Sequence, residues 1–131
     1  MKNFKFSRNS LKRLEGVDER VLNIVKEAIK ITKIDFGIPE YGGWRSPEQQ
    51  HKLYLDEKSN CDGLYKKSKH QSGKAVDVYA YVDGKASWDI EYMSQIACAF
   101  LQAAIKLGYD IQWGGLWINF IDTPHFEIIE D

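Results

Sequence analysis

Cysteine, histidine and proline are all scarce in this chain of 131 residues, which has two, three and three of them respectively. Cys61 lies in a polar stretch and Cys98 in a helical pattern, so the pair makes neither a disulfide framework nor a paired-thiolate metal site, and both are expected to be free thiols. An excess of one charge is lacking too. Eighteen basic against nineteen acidic residues give a formal net charge of -1, so no global positive field exists to hold a nucleic-acid backbone or an anionic membrane surface. Long hydrophobic runs are also missing. The most apolar stretch, Ile96 to Leu107, is interrupted by Gln102 and Lys106 and falls short of the ~20 apolar residues that a spanning helix needs, so no stable membrane insertion is expected. Residues 1–7 lack the apolar core and small-residue cleavage site of a secretory signal. No repeat, low-complexity run or EF-hand loop is present, which argues against a solenoid and against a second metal of the calcium type.

What the chain does have is apolar substance. Hydrophobic residues are 44% of the total and aromatics 13%, enough to offset the ordering entropy of one domain, expected to span residues 1–131. Asp18 to Thr32 sets Val21, Ile24, Val25, Ala28 and Ile29 on one stripe, with Asp18 and Glu19 at the positive end of a helix. Ser7 to Glu15 reads as a short helical piece stopped by Gly16. Ser46 and Pro47 supply an N-cap and a first-turn proline for a helix through Asp56, which puts Arg45 at its mouth. Asp56 to Lys69 is polar and reads as a surface loop.

Ala75 to Val82 alternates Val76, Val78, Ala80 and Val82 against Asp77, Tyr79 and Tyr81, the period of a single strand, and Asp83-Gly84 reads as the turn after it. Ser87 is expected to cap a helix with a stripe of Ile90, Met93, Ala97, Phe100, Leu101, Ala104 and Ile105 that runs up to Gly108. After Pro124, His125, Glu127 and Ile129 alternate with Phe126 and Ile128 as a final strand would. Helices first and a mixed or antiparallel sheet later give an α+β class.

With histidine only at positions 51, 70 and 125, a histidine-based site has few candidates. A loop turning at Gly73 can bring His70 back beside Asp77, and His125 can join them if the final strand lies next to the first. Two histidines and a carboxylate leave a fourth tetrahedral position open, the composition of a catalytic zinc site. Asp122, three residues before His125, is then suited to moving a proton, and Arg45, with its permanent charge, to stabilising an oxyanion. On spacing alone the better reading of each of these residues is an ordinary turn, helix-start or surface residue.

Four ordered motifs change that balance. Ser68-x-His70-x-x-Gly73-x-Ala75-x-Asp77 resembles the zinc signature of the VanY-type D-alanyl-D-alanine carboxypeptidase and L-alanyl-D-glutamate endopeptidase family. Gly43-Trp44-Arg45-Ser46-Pro47-Glu48-Gln49-Gln50 resembles its arginine motif, Trp113-Gly114-Gly115-Leu116-Trp117 its tryptophan-glycine stretch, and Asp122-Thr123-Pro124-His125-Phe126-Glu127 its terminal acid-x-x-histidine motif. The resemblance covers residues 5 to 130. It implies His70, Asp77 and His125 as ligands of one zinc ion, Asp122 as general base, and Arg45 as the residue that polarises the scissile carbonyl. Ser68 matches a substrate-contacting position and serves equally as a loop cap. Glu127 can orient a ligand, hold substrate or play a structural part. Trp113 and Trp117 are core aromatics or cleft lining. His51 matches no ligand and reads as a solvated helix residue.

The implied fold is a small antiparallel sheet bearing the metal, with helices packed on one side, shared with hedgehog signalling domains. The implied substrate is a peptidoglycan stem peptide. The opening segment, Phe4-Lys5-Phe6-Ser7-Arg8-Asn9-Ser10 with Leu11 and Leu14, is similar to that of the L-alanyl-D-glutamate endopeptidases which tailed phages use as endolysins. Such an enzyme is made in the host cytoplasm, reaches the wall after a holin opens the membrane, and is expected to act as a monomer. The alternatives are a D,D- or L,D-carboxypeptidase releasing terminal D-alanine, and a metal-stabilised module that binds wall peptides or a protein without cleaving them. Asp122 and Arg45 speak against the module, because a binder needs neither a base nor an oxyanion donor.

Overall fold

The apolar stripe after Asp18 forms helix α2 in the computed structural model, which describes residues 4–130. Residues 1–3 and 131, at the two ends of the expected domain, lie outside the described residues. Helix α1 spans Arg8–Arg13 and α2 spans Glu19–Ile31. Ser7 caps the first through its hydroxyl, and Asp18 caps the second by accepting from the Arg20 amide. Strand β1 is Phe36–Gly37 and helix α3 is Pro47–Leu55. In α3 a full capping box forms, in which Ser46 accepts from the Gln49 amide while the Gln49 side chain accepts from the Ser46 amide. A 3-10 turn, Lys69–Ser72, follows the long loop.

The segment Ala75 to Val82 departs from the expected single strand. It divides into β2, Ala75–Asp77, and β3, Tyr79–Val82, which belong to different sheets. The amide of Val78, the residue between them, donates to Pro124 O. Alternation survives the break because both pieces press their apolar side chains into the same core, so the period alone does not reveal the change of partner. After β3, Asp83 and Gly84 adopt positive φ of 54° and 76°. Such a turn suits a two-residue hairpin. It leads into a strand not foreseen in the sequence, β4, Lys85–Ser87.

Helix α4, Ile90–Leu107, ends at Gly108 as expected, but its cap and its buried face differ from expectation. Ser87 lies in β4, its hydroxyl accepting from the Asp89 amide, and Asp89 holds the N-cap position. The buried face is Met93, Ile96, Ala97, Ala99, Phe100, Ala103 and Ala104, while Ile90 and Ile105 are 58% and 80% exposed and Leu101 is half-buried. The buried face is thus rotated toward the alanines, whose small side chains let α4 lie close against α2.

Strands β5, Ile111–Trp113, and β6, His125–Ile128, complete the structure. The result is α+β, with two three-stranded antiparallel sheets, ordered β1-β3-β4 and β2-β6-β5. Strand β6 is central in its sheet, and all four of its residues are buried rather than alternating between core and solvent. Phe100 binds the layers together. Its ring stacks 4.0 Å from Phe126 and lies 5.4 Å from Phe36. Phe100→Ala is expected to destabilise the protein by about 3–5 kcal/mol, read from urea unfolding. A loss below about 1 kcal/mol would show that the layers do not depend on this stack.

Candidate active site

Register builds the site. In the β2-β6 pair Asp77 lies directly opposite His125, so two residues 48 positions apart are brought to side-chain contact. The 3-10 turn before β2 carries His70, and its end at Gly73 has φ 75°, a left-handed conformation that favours glycine. The chain thereby reverses and lays the His70 ring 5.1 Å from that of His125. Ser68, at the N-cap of the turn, accepts from the His70 amide. The three candidate ligands converge, with donor atoms all within 4.8 Å of one another.

Each of the three presents one atom to the others and has its far atom held. Asp77 Oδ1 lies 3.3 Å from His70 Nε2 and 3.1 Å from His125 Nδ1. Asp77 Oδ2 accepts from Arg45 Nη2 at 3.0 Å. His70 Nδ1 is 2.9 Å from the Gly43 carbonyl, to which it donates, leaving Nε2 as the lone-pair nitrogen of the neutral ring. His125 Nε2 donates to Glu127 Oε1 at 2.8 Å, and Glu127 Oε2 accepts from Gln112 Nε2 at 3.0 Å. Anchoring the outer atom of each ligand in this way fixes ring orientation and raises ligand basicity at metal centres. Two imidazole nitrogens and a carboxylate oxygen therefore fit a divalent cation.

Charge in the cluster follows from these contacts. Burial opposes ionisation of Asp77, yet His70 and His125 override it and hold the carboxyl far below the usual carboxylate range. Burial disfavours the His125 imidazolium, but the bonds to Asp77 and Glu127 outweigh it and push the group up to about 9. Burial, then the charge of Asp77, pushes the Asp122 carboxyl up. A raised carboxylate is the better proton acceptor near neutral pH.

Arg45 and Asp122 line the same cleft of about 350 Å³ as the three ligands. Arg45 is 11% exposed and anchored at three points: Asp77, the Tyr41 carbonyl at 2.7 Å through Nε, and Gln50 Oε1 at 3.1 Å through Nη1. Of five guanidinium N–H groups, two remain for a substrate oxygen. Asp122 is placed by its backbone. Its amide donates to Gly114 O, its carbonyl accepts from the His125 amide, and a Cβ added at Gly114 would sit 2.2 Å from that carbonyl oxygen. Only glycine allows the two segments to approach so closely.

The tryptophans part company. Trp113 is buried in the core, donating to Thr123 O at 2.7 Å, whereas Trp117 lines the cleft with its ring 5.2 Å from His125. Ser68 and Glu127 also line the cleft. His51 differs from the solvated reading, since its Nδ1 is 2.8 Å from the Asp62 carbonyl and ties α3 to the following loop. Sequence reasoning missed Gly43, Gln50 and Gln112. The first two fall inside the arginine motif and Gln112 just before the tryptophan-glycine stretch, but a carbonyl or amide acting on another residue's far atom has no spacing signature.

The comparisons with known proteins agree with one another. A family model described as phage L-alanyl-D-glutamate peptidase matches residues 2–129. The L-alanyl-D-glutamate peptidase of Escherichia phage T5 is 32% identical over 126 residues, covering 95% of this chain and 89% of that protein. The Bacillus subtilis peptidoglycan L-alanyl-D-glutamate endopeptidase CwlK is 31% identical over 127 residues, covering 88% and 74%. The crystal structure of the Serratia marcescens L-Ala D-Glu endopeptidase ChiX superposes with a TM-score of 0.85 at 31% identity, covering 98% of this chain and 92% of that one. The chain belongs to the phage L-alanyl-D-glutamate peptidase family.

Proposed function

We propose that this chain is a zinc-dependent peptidase that cleaves the L-alanyl-D-glutamate bond of peptidoglycan stem peptides and serves as a phage endolysin. The observation that carries the reading is the His70, Asp77 and His125 group, whose inner atoms converge while every outer atom is held by a partner. Family membership supplies the bond that is cut, and the wall-acting relatives supply the substrate class.

His70, Asp77 and His125 would hold the zinc. When bound, zinc supplies Lewis acidity, lowering the pKa of water toward about 7 and polarising a carbonyl oxygen. Asp122 takes a proton on a carboxylate oxygen as water adds to the alanyl carbonyl, and returns it to the glutamyl nitrogen as the C–N bond breaks. Arg45, held by Asp77, Tyr41 and Gln50, directs its two remaining N–H groups at the oxyanion. Glu127 keeps the His125 ring in the orientation that faces Asp77, and Trp117 offers an apolar wall to the bound peptide. Ser68 is a cap whose side chain faces the cleft.

The chain is read as a single catalytic domain acting as a monomer. Its similarity to the phage T5 enzyme supports synthesis in the host cytoplasm and action on the wall once a holin has opened the membrane. No helix among the described residues is long and apolar enough to cross a membrane.

Mass spectrometry of fragments released from purified peptidoglycan tests the bond. Zinc-loaded protein is expected to release peptides beginning with D-glutamate, with a chelated sample inactive. Free D-alanine would instead establish a carboxypeptidase, and metal-independent silence on several wall types a binding module. Asp122→Asn is expected to retain zinc and fold while kcat falls by about 10²–10⁴; near wild-type turnover would remove Asp122 from the base role. Because His125 is raised to about 9 without metal, it carries a proton below that pH which zinc must displace. Zinc affinity in chelator competition is therefore expected to fall about tenfold per unit as pH drops from about 9 to 7. A flat profile over that range would show that His125 is already neutral there before zinc binds.

A further inference from the structure

The cleft is lined by more cations than its proton and metal chemistry uses. Besides Arg45 it holds Lys58, Lys67 and Lys69, all three solvent-exposed, in a chain whose charges otherwise nearly cancel. Its acids, Asp77, Asp122 and Glu127, are gathered at the histidines, where Asp77 is taken by Arg45 and Glu127 by His125 and Gln112. Asp62, the acid nearest Lys66 and Lys67 in sequence, is occupied by the backbone amides of Leu64, Tyr65 and Lys66. Ion pairs of lysine among the described residues involve Lys30, Lys74 and Lys106, none of which lines the cleft. The ammonium groups of Lys58, Lys67 and Lys69 thus make no ion pair among the described residues, although Lys69 is near enough to Glu127 to help hold its carboxyl down.

The loop that bears Lys58 and Lys67 is held at several points. Gln50 Nε2 donates to Ser59 Oγ and to Cys61 O, both at 2.8 Å, and Gln71 Nε2 donates to Gly63 O at 3.0 Å. Lys69 sits in the same short turn as His70. The same Gln50 holds Arg45 from its other end, so the basic wall and the catalytic floor are positioned by one buried amide. Such anchoring reduces the ordering cost of capturing a charged group.

The cleaved bond decides which anion arrives. A glutamyl residue acylated on its nitrogen has two carboxyl groups, and the onward peptide takes one. The other stays free and ionised at neutral pH. It belongs to the residue whose nitrogen is released, so it must enter the same cleft whichever carboxyl continues the chain. Lysine suits this task, because a compact charge on a flexible stem follows a carboxylate without demanding a fixed plane.

We infer that Lys58, Lys67 and Lys69 form the subsite for the free carboxylate of the glutamyl residue, and that they make the enzyme discriminate against stem peptides in which this carboxylate is amidated. This inference rests on the peptidase reading above. Amidation removes the charge with almost no change of shape, which makes it the matched probe.

The test compares zinc-loaded protein on the tripeptide L-Ala-D-Glu-L-Ala, in its natural linkage and with its C-terminal carboxyl blocked as the amide, with the same blocked peptide amidated also at the glutamyl carboxyl. The expected wild-type preference for the free acid is about tenfold in kcat/KM, carried mainly by KM, and shrinks as salt rises from about 0.05 M to about 0.5 M. In the combined variant Lys58→Gln, Lys67→Gln, Lys69→Gln the preference is expected to fall within about twofold, and Lys67→Glu alone, at an exposed position, is expected to reduce it in the same direction. Equal cleavage of the two peptides by the wild type, or an undiminished preference in the combined variant, overturns the subsite while leaving the peptidase reading intact. Cleavage of neither peptide overturns that reading and the subsite with it.

Discussion

A single carboxylate, that of Asp77, is the point on which the site is organised. One oxygen faces both histidines and the other receives Arg45. A charge this enclosed is tolerated only when paired and hydrogen-bonded on every side, and the surrounding structure supplies that pairing. The Asp77 amide donates to Gly42 O while the next carbonyl, of Gly43, fixes His70. The stretch from Gly42 to Arg45 therefore supports two of the three candidate ligands, and a short turn before α3 becomes part of the candidate metal site.

The break at Val78 serves the same end. If residues 75 to 82 ran as one strand, Asp77 would sit in the middle of a continuous sheet. Instead the chain leaves β6 after Asp77 and joins β1 and β4, so the pair Asp77 and His125 lies where the β2-β6-β5 sheet ends. A strand end opens toward solvent and accepts a cleft, while the apolar residues on either side, Val76, Val78 and Ala80, remain buried and hold the backbone rigid. The candidate ligands stand on strands and one capped turn, whereas the residues proposed to meet the substrate come from the loops, apart from Lys69 on that same turn. This division suits a rigid candidate metal site beside adjustable recognition.

The relation between Arg45 and Asp77 also shows how one residue can carry two duties. By sequence Arg45 reads as an electrophilic donor, and in the structure it first balances the charge of a ligand. Both follow from the same permanent charge and five-donor fork. The Asp77 contact orients the guanidinium of this cleft-lining residue and leaves two of its N–H groups unused among the described residues, so the structural role is compatible with the proposed chemical one.

Local signals were legible from residue order because they act over three or four positions. The cap at Ser46, the acidic start of α2, the stop at Gly108, the Asp83-Gly84 turn and the candidate ligand types all belong to this class. The rotation of the buried face of α4, the division of the 75–82 segment, the extra strand β4 and the burial of both faces of β6 did not show. Each depends on which element packs opposite, and hydrophobic period is blind to that choice. The candidate ligands could be chosen by chemistry and by family resemblance, but the chain alone did not convey the pairing of Asp77 with His125, the hold of Gly43 and Gln112 on distant atoms, or the convergence of three lysines on one cleft. Those contacts join residues tens of positions apart, and register and backbone reversal, which arise only when the whole chain is folded, decide them.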